Sequence, residues 1–136
     1  MDTVRAVRIA LGLLYAAGAL IHLYFILYAP GLYELFAEVA LVATYRELWL
    51  SLVVPNRWIL LPIVVLLEAG VAAGLLWRGR VVTVANVAGA IFQFGLVLSG
   101  PWGILNLGLA GVHLYLARID FPEPAIRRRE GIEAES

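Results

Sequence analysis

The feature that most constrains the fold is a long apolar stretch between two arginines, Arg57 and Arg78. All twenty residues between them are apolar or small except Glu68, which lies near the midpoint. At a rise of about 1.5 Å per residue, such a helix spans about 30 Å, the thickness of the hydrocarbon core of a bilayer. Trp58 and Trp77 flank the stretch at the depths where indole rings prefer to lie. The stretch therefore predicts a transmembrane helix with a carboxyl group at the bilayer centre.

A carboxylate at that depth is costly, by about 2.5–3.5 kcal/mol on the scale derived from insertion experiments. We therefore expect Glu68 to face protein rather than lipid, and to be protonated or paired. Two interpretations are open. Glu68 is either a hydrogen-bonded strut between helices, or a proton-carrying or ligand-binding group in a cavity.

The composition favours an integral membrane protein with a single domain. Of its 136 residues, 62% are hydrophobic, and the mean hydropathy of +0.90 exceeds what a soluble domain of this size can bury. The formal net charge is zero, which argues against nucleic acid as a partner. The chain has no cysteine, which excludes disulfides, thiolate metal sites and thiol redox chemistry on its own side chains.

Four apolar segments predict an all-α fold, an integral membrane four-helix bundle formed by residues 1–118. The predicted spans are about 7–28, 58–77, 81–98 and 102–117. The last three are joined by very short loops, so they should be antiparallel neighbours. Arg46 and Glu47 interrupt the apolar run in segment 31–55, which we therefore predict to be an additional outer interfacial helical segment. Residues 119–136 form a polar tail.

The arginines predict the orientation in the membrane. With four spans and an inner N-terminus, eight of the ten arginines fall on the inner side, and only Arg46 and Arg57 fall outside. Such a bias is typical of multi-pass proteins whose arginine-rich ends are cytoplasmic. We therefore expect a multi-pass protein of a prokaryotic cytoplasmic (inner) membrane, with both termini and the tail in the cytoplasm.

The few polar residues inside the spans fall in pairs seven residues apart, so that each pair shares one helix face. These pairs are Tyr15 and His22, Asn86 and Gln93, and Asn106 and His113. By helical rise they form two layers. The predicted ligand-binding or proton-carrying layer, at the centre, contains Glu68, His22, Gln93 and Asn106. The secondary polar layer, nearer the inner surface, contains Asn86, His113 and Tyr15.

These layers also allow a simpler interpretation, in which the side chains form interhelical hydrogen bonds that only specify packing. Packing is the favoured interpretation for Asn86 and Asn106. His22 with Glu68 is the more suggestive pair, because the imidazole could ionise the carboxyl group or pass its proton outward to Glu34 or Glu38.

Several catalytic and cofactor sites are not predicted. His22 and His113 differ in depth by about 13 Å from the helical rise, which is too far for both to ligate one haem. One histidine and one carboxylate per layer make a poor metal site, so no metal is predicted. No Ser-His-Asp set or phosphate-binding glycine loop occurs, and no catalytic residue is assigned.

Two stretches resemble a known family. They are the first span, Arg8-Ile-Ala-Leu-Gly-Leu-Leu-Tyr-Ala-Ala-Gly18, and the motif Leu67-Glu68-Ala-Gly-Val-Ala-Ala-Gly-Leu-Leu-Trp-Arg-Gly79, which two further spans follow. With the long outer segment between them, they are similar to the DoxX-like family of small four-helix membrane proteins. The similarity covers most of residues 5–118. It implies a subunit or partner of redox enzymes, in some members linked to quinone or thiosulfate oxidation, and Glu68 is the one position that it carries over.

The leading functional expectation is a non-catalytic membrane subunit of a redox or respiratory assembly that binds a quinone or similar lipophile near Glu68. The chain offers no electron carrier of its own, so a redox role would need partner subunits. The alternatives are a stand-alone binder or transporter of a small lipophilic molecule, and a purely structural accessory subunit. The expected surroundings are the lipid bilayer, and surplus Gly and Ala faces leave room for a homo-oligomer.

Overall fold

The computed structural model describes residues 3–126, which form six α-helices and one π-helical turn, with no strand in that range. The elements are α1 Thr3–Tyr28, α2 Leu32–Glu38, α3 Ala43–Leu48, the π-helical turn Trp49–Val53, α4 Arg57–Leu76, α5 Arg80–Gly95 and α6 Gly103–Leu116. The all-α class predicted from the sequence is confirmed. Most of the predicted tail, residues 127–136, lies outside the described residues.

Two of these helices, α1 and α4, are long and apolar enough to cross a membrane. The other two apolar helices are shorter, with 16 residues in α5 and 14 in α6. The predicted third span extended to Leu98, whereas α5 ends at Gly95. One reason is that Leu98 bonds elsewhere, since its carbonyl oxygen accepts a hydrogen bond of 3.0 Å from Leu41 N. The number of membrane crossings stays a prediction.

The four long helices pack in sequence order, α1 against α4, α4 against α5, and α5 against α6. Small residues make the close approaches possible. A Cβ atom on Gly74 of α4 would lie 2.7 Å from the Cβ atom of Ala85 on α5, far inside normal contact distance. The buried apolar cluster draws on all four helices and contains Leu11, Tyr15, Val71, Ala72, Leu75, Ala85 and Leu116.

One end of the molecule gathers the start of α1, the end of α4 and the segment that follows α6. The guanidinium of Arg8 donates to the carbonyl oxygens of Leu75 at 2.9 Å and Trp77 at 2.6 Å. It also lies 4.1 Å from the ring centre of Phe121. Gly79, whose φ of 63° favours glycine, reverses the chain between α4 and α5. We call this the arginine end.

The opposite end is covered by residues 32–53, which we call the outer cap. They form α2, α3 and the π-helical turn, so the segment predicted to be helical consists of three short helical pieces. Trp49 Nε1 donates to the carbonyl oxygen of Tyr33 at 2.6 Å, which ties the π-helical turn to α2. The hydroxyl group of Tyr45 donates to the carbonyl oxygen of Gly95 at 3.1 Å, which ties the cap to the end of α5.

Candidate functional site

Glu68 lies in the middle of α4 and is 5% exposed. It faces α1 at a position without a side chain, because a Cβ atom on Gly18 would lie 2.6 Å from Glu68 Oε1. Its other oxygen, Oε2, is buried and has no hydrogen-bond partner within residues 3–126. Burial against protein is what the sequence predicted. The lack of a partner is unusual, since almost all buried polar atoms are paired.

His22 is the polar group next to this carboxyl group. Its Nε2 atom lies 3.9 Å from Glu68 Oε1, and its Nδ1 atom lies 2.6 Å from the hydroxyl oxygen of Tyr33. The first distance is beyond hydrogen-bond length, so the two groups are neighbours without a direct hydrogen bond. The two side chains meet because each leans towards the N-terminus of its helix, and α1 and α4 run in opposite directions.

Tyr33 of the outer cap sets the orientation of the His22 ring. Its hydroxyl group stays protonated, mainly because burial raises the pKa of Tyr33 to about 12. Tyr33 is 1% exposed, and its ring stacks on that of His22 with an interplanar angle of 20°. A buried hydroxyl group donates wherever an acceptor is available, so Tyr33 donates to Nδ1. A neutral His22 then carries its proton on Nε2, the ring nitrogen that lies 3.9 Å from Glu68 Oε1.

The outward proton path expected through Glu34 or Glu38 is not what the contacts favour. Glu34 Oε1 instead accepts a hydrogen bond of 2.8 Å from Arg57 Nη1, and it is exposed. The outward neighbour of His22 is Tyr33.

A cavity of about 530 Å³ lies beside Glu68, and we call it the Glu68 cavity. Its polar lining consists of Tyr15, His22, Glu68, Gln93 and Asn106. Its wall also includes exposed apolar residues of α1 and α6, namely Leu14, Ile21 and Leu105. The mouth of the cavity therefore lies between α1 and α6.

A second cavity of about 410 Å³ lies under the outer cap, and we call it the cap cavity. It shares a wall with the Glu68 cavity, formed by His22, Phe92, Leu96, Trp102 and Asn106. The rest of its lining is mostly apolar and aromatic. Both volumes fall in the range of sites for small organic molecules.

Gln93 lines the Glu68 cavity but bonds away from Glu68. Its Nε2 atom donates to the hydroxyl oxygen of Tyr15 at 3.0 Å, and its Oε1 atom is buried without a partner among the described residues. The side chain of Gln93 leans towards the N-terminus of α5, at the arginine end, which brings it to Tyr15. The two predicted polar layers are therefore joined through this bond.

The secondary layer is a continuous hydrogen-bonded chain. The hydroxyl oxygen of Tyr15 lies 3.0 Å from His113 Nε2, and His113 Nδ1 lies 2.9 Å from Asn86 Oδ1. Asn86 Nδ2 donates to the carbonyl oxygen of Val82 at 2.9 Å. His113 and Asn86 are fully buried, and Gly89 makes room for the imidazole, because a Cβ atom there would lie 2.6 Å from His113 Cε1.

Asn106 bonds to backbone rather than to the other central residues. Its Nδ2 atom donates to the carbonyl oxygen of Leu96 at 2.9 Å. Because α6 begins at the outer cap, the side chain of Asn106 leans towards the cap, where it meets the backbone of Leu96. This contact agrees with the packing interpretation that the sequence favoured for Asn106.

Sequence reasoning missed three contributors to the site, namely Gly18, Tyr33 and Trp49. Gly18 lies four residues before His22 on α1, a spacing that could have marked it as facing the same neighbour. Tyr33 and Trp49 lie in the outer cap, and no periodic pattern in the sequence locates their contacts. As to metals, residues 3–126 contain no group of three or more His, Cys, Asp or Glu that could hold an ion.

The chain matches no family model, no curated protein and no solved structure. The resemblance to the DoxX-like family therefore stays a prediction, and the function must be argued from the chain's own residues.

Proposed function

We propose that this chain is a multi-pass integral membrane protein that binds a lipophilic molecule, with a polar head group, in the Glu68 cavity. The observation that carries the proposal is the carboxyl group of Glu68, 5% exposed and without a hydrogen-bond partner for Oε2 in the described chain. It lines a largely apolar cavity whose mouth lies between α1 and α6. A ligand that pairs with this group would remove the cost of leaving it unpaired.

The membrane setting is supported by the apolar surface. Only 22% of the most apolar window of α1 and 33% of that of α4 is buried, whereas the core helix of a soluble protein would be mostly buried. Exposed large side chains continue along the shorter helices, for example Ile91 on α5 and Ile104 on α6. A four-span bundle in the inner membrane would cover these surfaces with lipid, which thins locally around short helices.

The arginine end supports the proposed orientation with both termini in the cytoplasm. Arg5, Arg8, Arg78, Arg80 and Arg118 lie at the ends of helices that meet there, and this side of a bundle is normally cytoplasmic. The outer cap would then face the periplasmic side, with exposed Glu34, Glu38 and Glu47 towards water.

The position of the mouth supports binding from the membrane. The exposed side chains around it, Leu14, Ile21 and Leu105, would face acyl chains in a bilayer, so a lipophile could reach Glu68 without crossing water. The adjoining cap cavity could hold the apolar remainder of a longer ligand. A structural strut fits less well, because a strut would be hydrogen-bonded to the neighbouring helix. The redox assembly and its quinone, expected from the family resemblance, stay predictions.

The test is lipid analysis of protein that has been gently extracted in mild detergent, by native mass spectrometry. We expect a lipophile that co-purifies with the wild-type chain and is reduced about tenfold or more in Glu68→Leu, since a lost buried hydrogen bond has an effect of that size. Leu20→Ala is the matched control, because Leu20 is exposed on α1 and lines neither cavity. Equal recovery from Glu68→Leu and the wild type would overturn the proposal. Co-purifying cofactor-bearing subunits would support the redox assembly.

A further inference from the structure

The hydrogen-bonded chain from Val82 to Gln93 has a fixed direction, and that direction determines what Gln93 offers to the Glu68 cavity. The starting point is the carbonyl oxygen of Val82, which can only accept. Because it lies 2.9 Å from Asn86 Nδ2, the amide group of Asn86 must present its NH₂ group there and its oxygen to His113.

The orientation of the Asn86 amide group determines which ring nitrogen of His113 carries the proton. Asn86 Oδ1 can only accept, so His113 Nδ1 carries the proton. His113 is fully buried, and no carboxylate forms an ion pair with it in the described chain, so a charged imidazole would be costly. In the neutral ring, Nε2 is an acceptor, and it takes the hydroxyl proton of Tyr15 at an oxygen–nitrogen distance of 3.0 Å.

Tyr15 is the last link between His113 and Gln93 in this hydrogen-bonded chain. Once its one proton is donated to His113, the hydroxyl oxygen of Tyr15 can only accept, so Gln93 must present its NH₂ group to it. Tyr15 could instead donate its proton to the carbonyl oxygen of Gly89, at the longer distance of 3.3 Å. The orientation of the Gln93 amide group would be the same, because Tyr15 would again have no proton to donate to Gln93. Gln93 Oε1 is thereby left over as an acceptor, and it has no partner within residues 3–126.

Glu68 supplies the complementary group on the other side of the cavity. His22 Nε2 lies 3.9 Å from Glu68 Oε1, and the buried oxygen without a partner is Oε2. At the centre of a bilayer the carboxyl group is favoured in its neutral form, in which Oε2 carries a proton and donates. Among the cavity residues, the buried polar atoms that have no partner within residues 3–126 are thus one acceptor, Gln93 Oε1, and one donor, Glu68 Oε2. A hydroxyl group both donates and accepts, and it satisfies both.

We infer that the ligand of the Glu68 cavity is a hydroxyl-bearing lipophile, a phenol or an alcohol, that donates its proton to Gln93 Oε1 and accepts one from Glu68. This inference rests on the proposed function and specifies the ligand class. A molecule that carries only carbonyl or ether oxygens can accept from Glu68 but leaves Gln93 Oε1 unpaired. Such a molecule should bind at least about tenfold more weakly than a hydroxyl-bearing ligand. Binding sites that form hydrogen bonds to a ligand hydroxyl group discriminate against analogues that lack it.

The experiment compares three bicyclic probes by isothermal titration calorimetry on the full chain in detergent micelles, with partitioning into empty micelles subtracted. The probes are 1-naphthol, which can donate and accept, and 1-methoxynaphthalene and 1,4-naphthoquinone, which can only accept. We expect 1-naphthol to bind the wild type at least about tenfold more tightly than either acceptor-only probe. In Gln93→Leu, the preference should fall to about twofold or less, because the acceptor is gone.

Two further variants keep the inference testable if Gln93→Leu does not fold. Gln93→Met keeps an unbranched side chain without the acceptor and should also lose the preference. Leu20→Ala is the matched control, since Leu20 is exposed on α1 and lines neither cavity, and it should keep the preference.

The outcomes separate this inference from the proposed function. Equal binding of all three probes to the wild type, or a preference that persists in the Gln93 variants, would overturn the hydroxyl assignment and leave the lipophile site standing. A wild-type chain that binds none of the probes would overturn the hydroxyl assignment, whereas the proposed function is tested separately by the recovery of the co-purifying lipophile.

Discussion

The carboxyl group of Glu68 occupies the space that a side chain at Gly18 would fill, since a Cβ atom on Gly18 would lie 2.6 Å from Glu68 Oε1. The absence of a side chain on α1 therefore allows the acid to lie between the helices, next to His22. This contact relates the packing of α1 on α4 directly to the candidate binding site.

Gly18→Ala should displace Glu68 and weaken both packing and binding. We expect a loss of about 1–3 kcal/mol in the free energy of unfolding, as for other overpacked contacts, together with lower recovery of the co-purifying lipophile. Unfolding in mixed detergent micelles and lipid analysis are the two measurements.

Gly70→Ala on α4 is the control, because nothing lies within 4 Å of a Cβ atom there. It should leave lipophile recovery unchanged and raise stability by up to about 1 kcal/mol through helix propensity. Similar behaviour of the two alanine variants would show that Gly18 does not make room for Glu68.

His113 and Asn86 should behave as one coupled pair in unfolding experiments. His113→Leu leaves Asn86 Oδ1 and the hydroxyl proton of Tyr15 without their partner, and Asn86→Leu leaves the Nδ1 proton of His113 unpaired. Each variant should lose about 1–3 kcal/mol per unpaired group. The double variant should lose less than the sum of the two, by about 0.5–3 kcal/mol, because the second change removes a group that is already unpaired.

The control cycle for this pair uses Val87→Ala and Leu107→Ala, which lie on the same two helices with exposed side chains. Their effects should add within about 0.5 kcal/mol. Strict additivity of the His113 and Asn86 variants would contradict the directed chain on which the orientation of Gln93 depends.

Helix positions were predictable from the sequence because apolar stretches long enough for a helix leave a strong signal. The run from Arg57 to Arg78 shows this, since α4 occupies Arg57–Leu76. The end of α5 was not predictable, because the hydropathy of residues 96–98 does not reveal that the carbonyl oxygen of Leu98 bonds to the outer cap. Broken helices such as those of residues 32–53 are decided by tertiary contacts, here the bonds of Trp49 and Tyr45.

The site was predictable in its residue types and less so in its pairings. The seven-residue spacing correctly placed Tyr15 and His22 on one face of α1, towards the cavity. Depth along a helix did not predict partners, because side chains lean towards the helix N-terminus and so depart from the level of their Cα atoms. Gln93 reached Tyr15 and Asn106 reached Leu96 for this reason.

Tyr33 should produce a loss of stability at high pH. Its pKa is raised from 10.0 to about 12 in the folded chain, so the folded state holds the hydroxyl proton more tightly than the unfolded state does. The stabilisation is fully present below pH 10 and is lost as the pH rises towards 12. Compared with the wild type, Tyr33→Phe should lose less stability over this interval, as measured by unfolding in micelles at stepped pH.

Trp49→Phe is the control for the Tyr33 measurement, because it removes the bond to the carbonyl oxygen of Tyr33 but keeps the phenol. It should lower stability by about 0.5–1.5 kcal/mol at neutral pH and retain the loss at high pH. An equal high-pH loss in Tyr33→Phe and the wild type would show that the Tyr33 hydroxyl group is not the buried donor to His22.

The proposed orientation can be tested with single cysteines, since the native chain has none. We expect Arg46→Cys, in the outer cap, to react with a membrane-impermeant maleimide added to intact spheroplasts. Arg80→Cys, at the arginine end, should react only after the membrane is broken.

Each substitution removes only one arginine from a distribution of eight on the inner side and two on the outer side, so neither should reverse the topology. Labelling of Arg80→Cys in intact spheroplasts would place the arginine end outside, and labelling of both variants would require zero or an even number of crossings between them. Because α4 alone separates these two positions among the long apolar helices, the experiment tests its crossing directly.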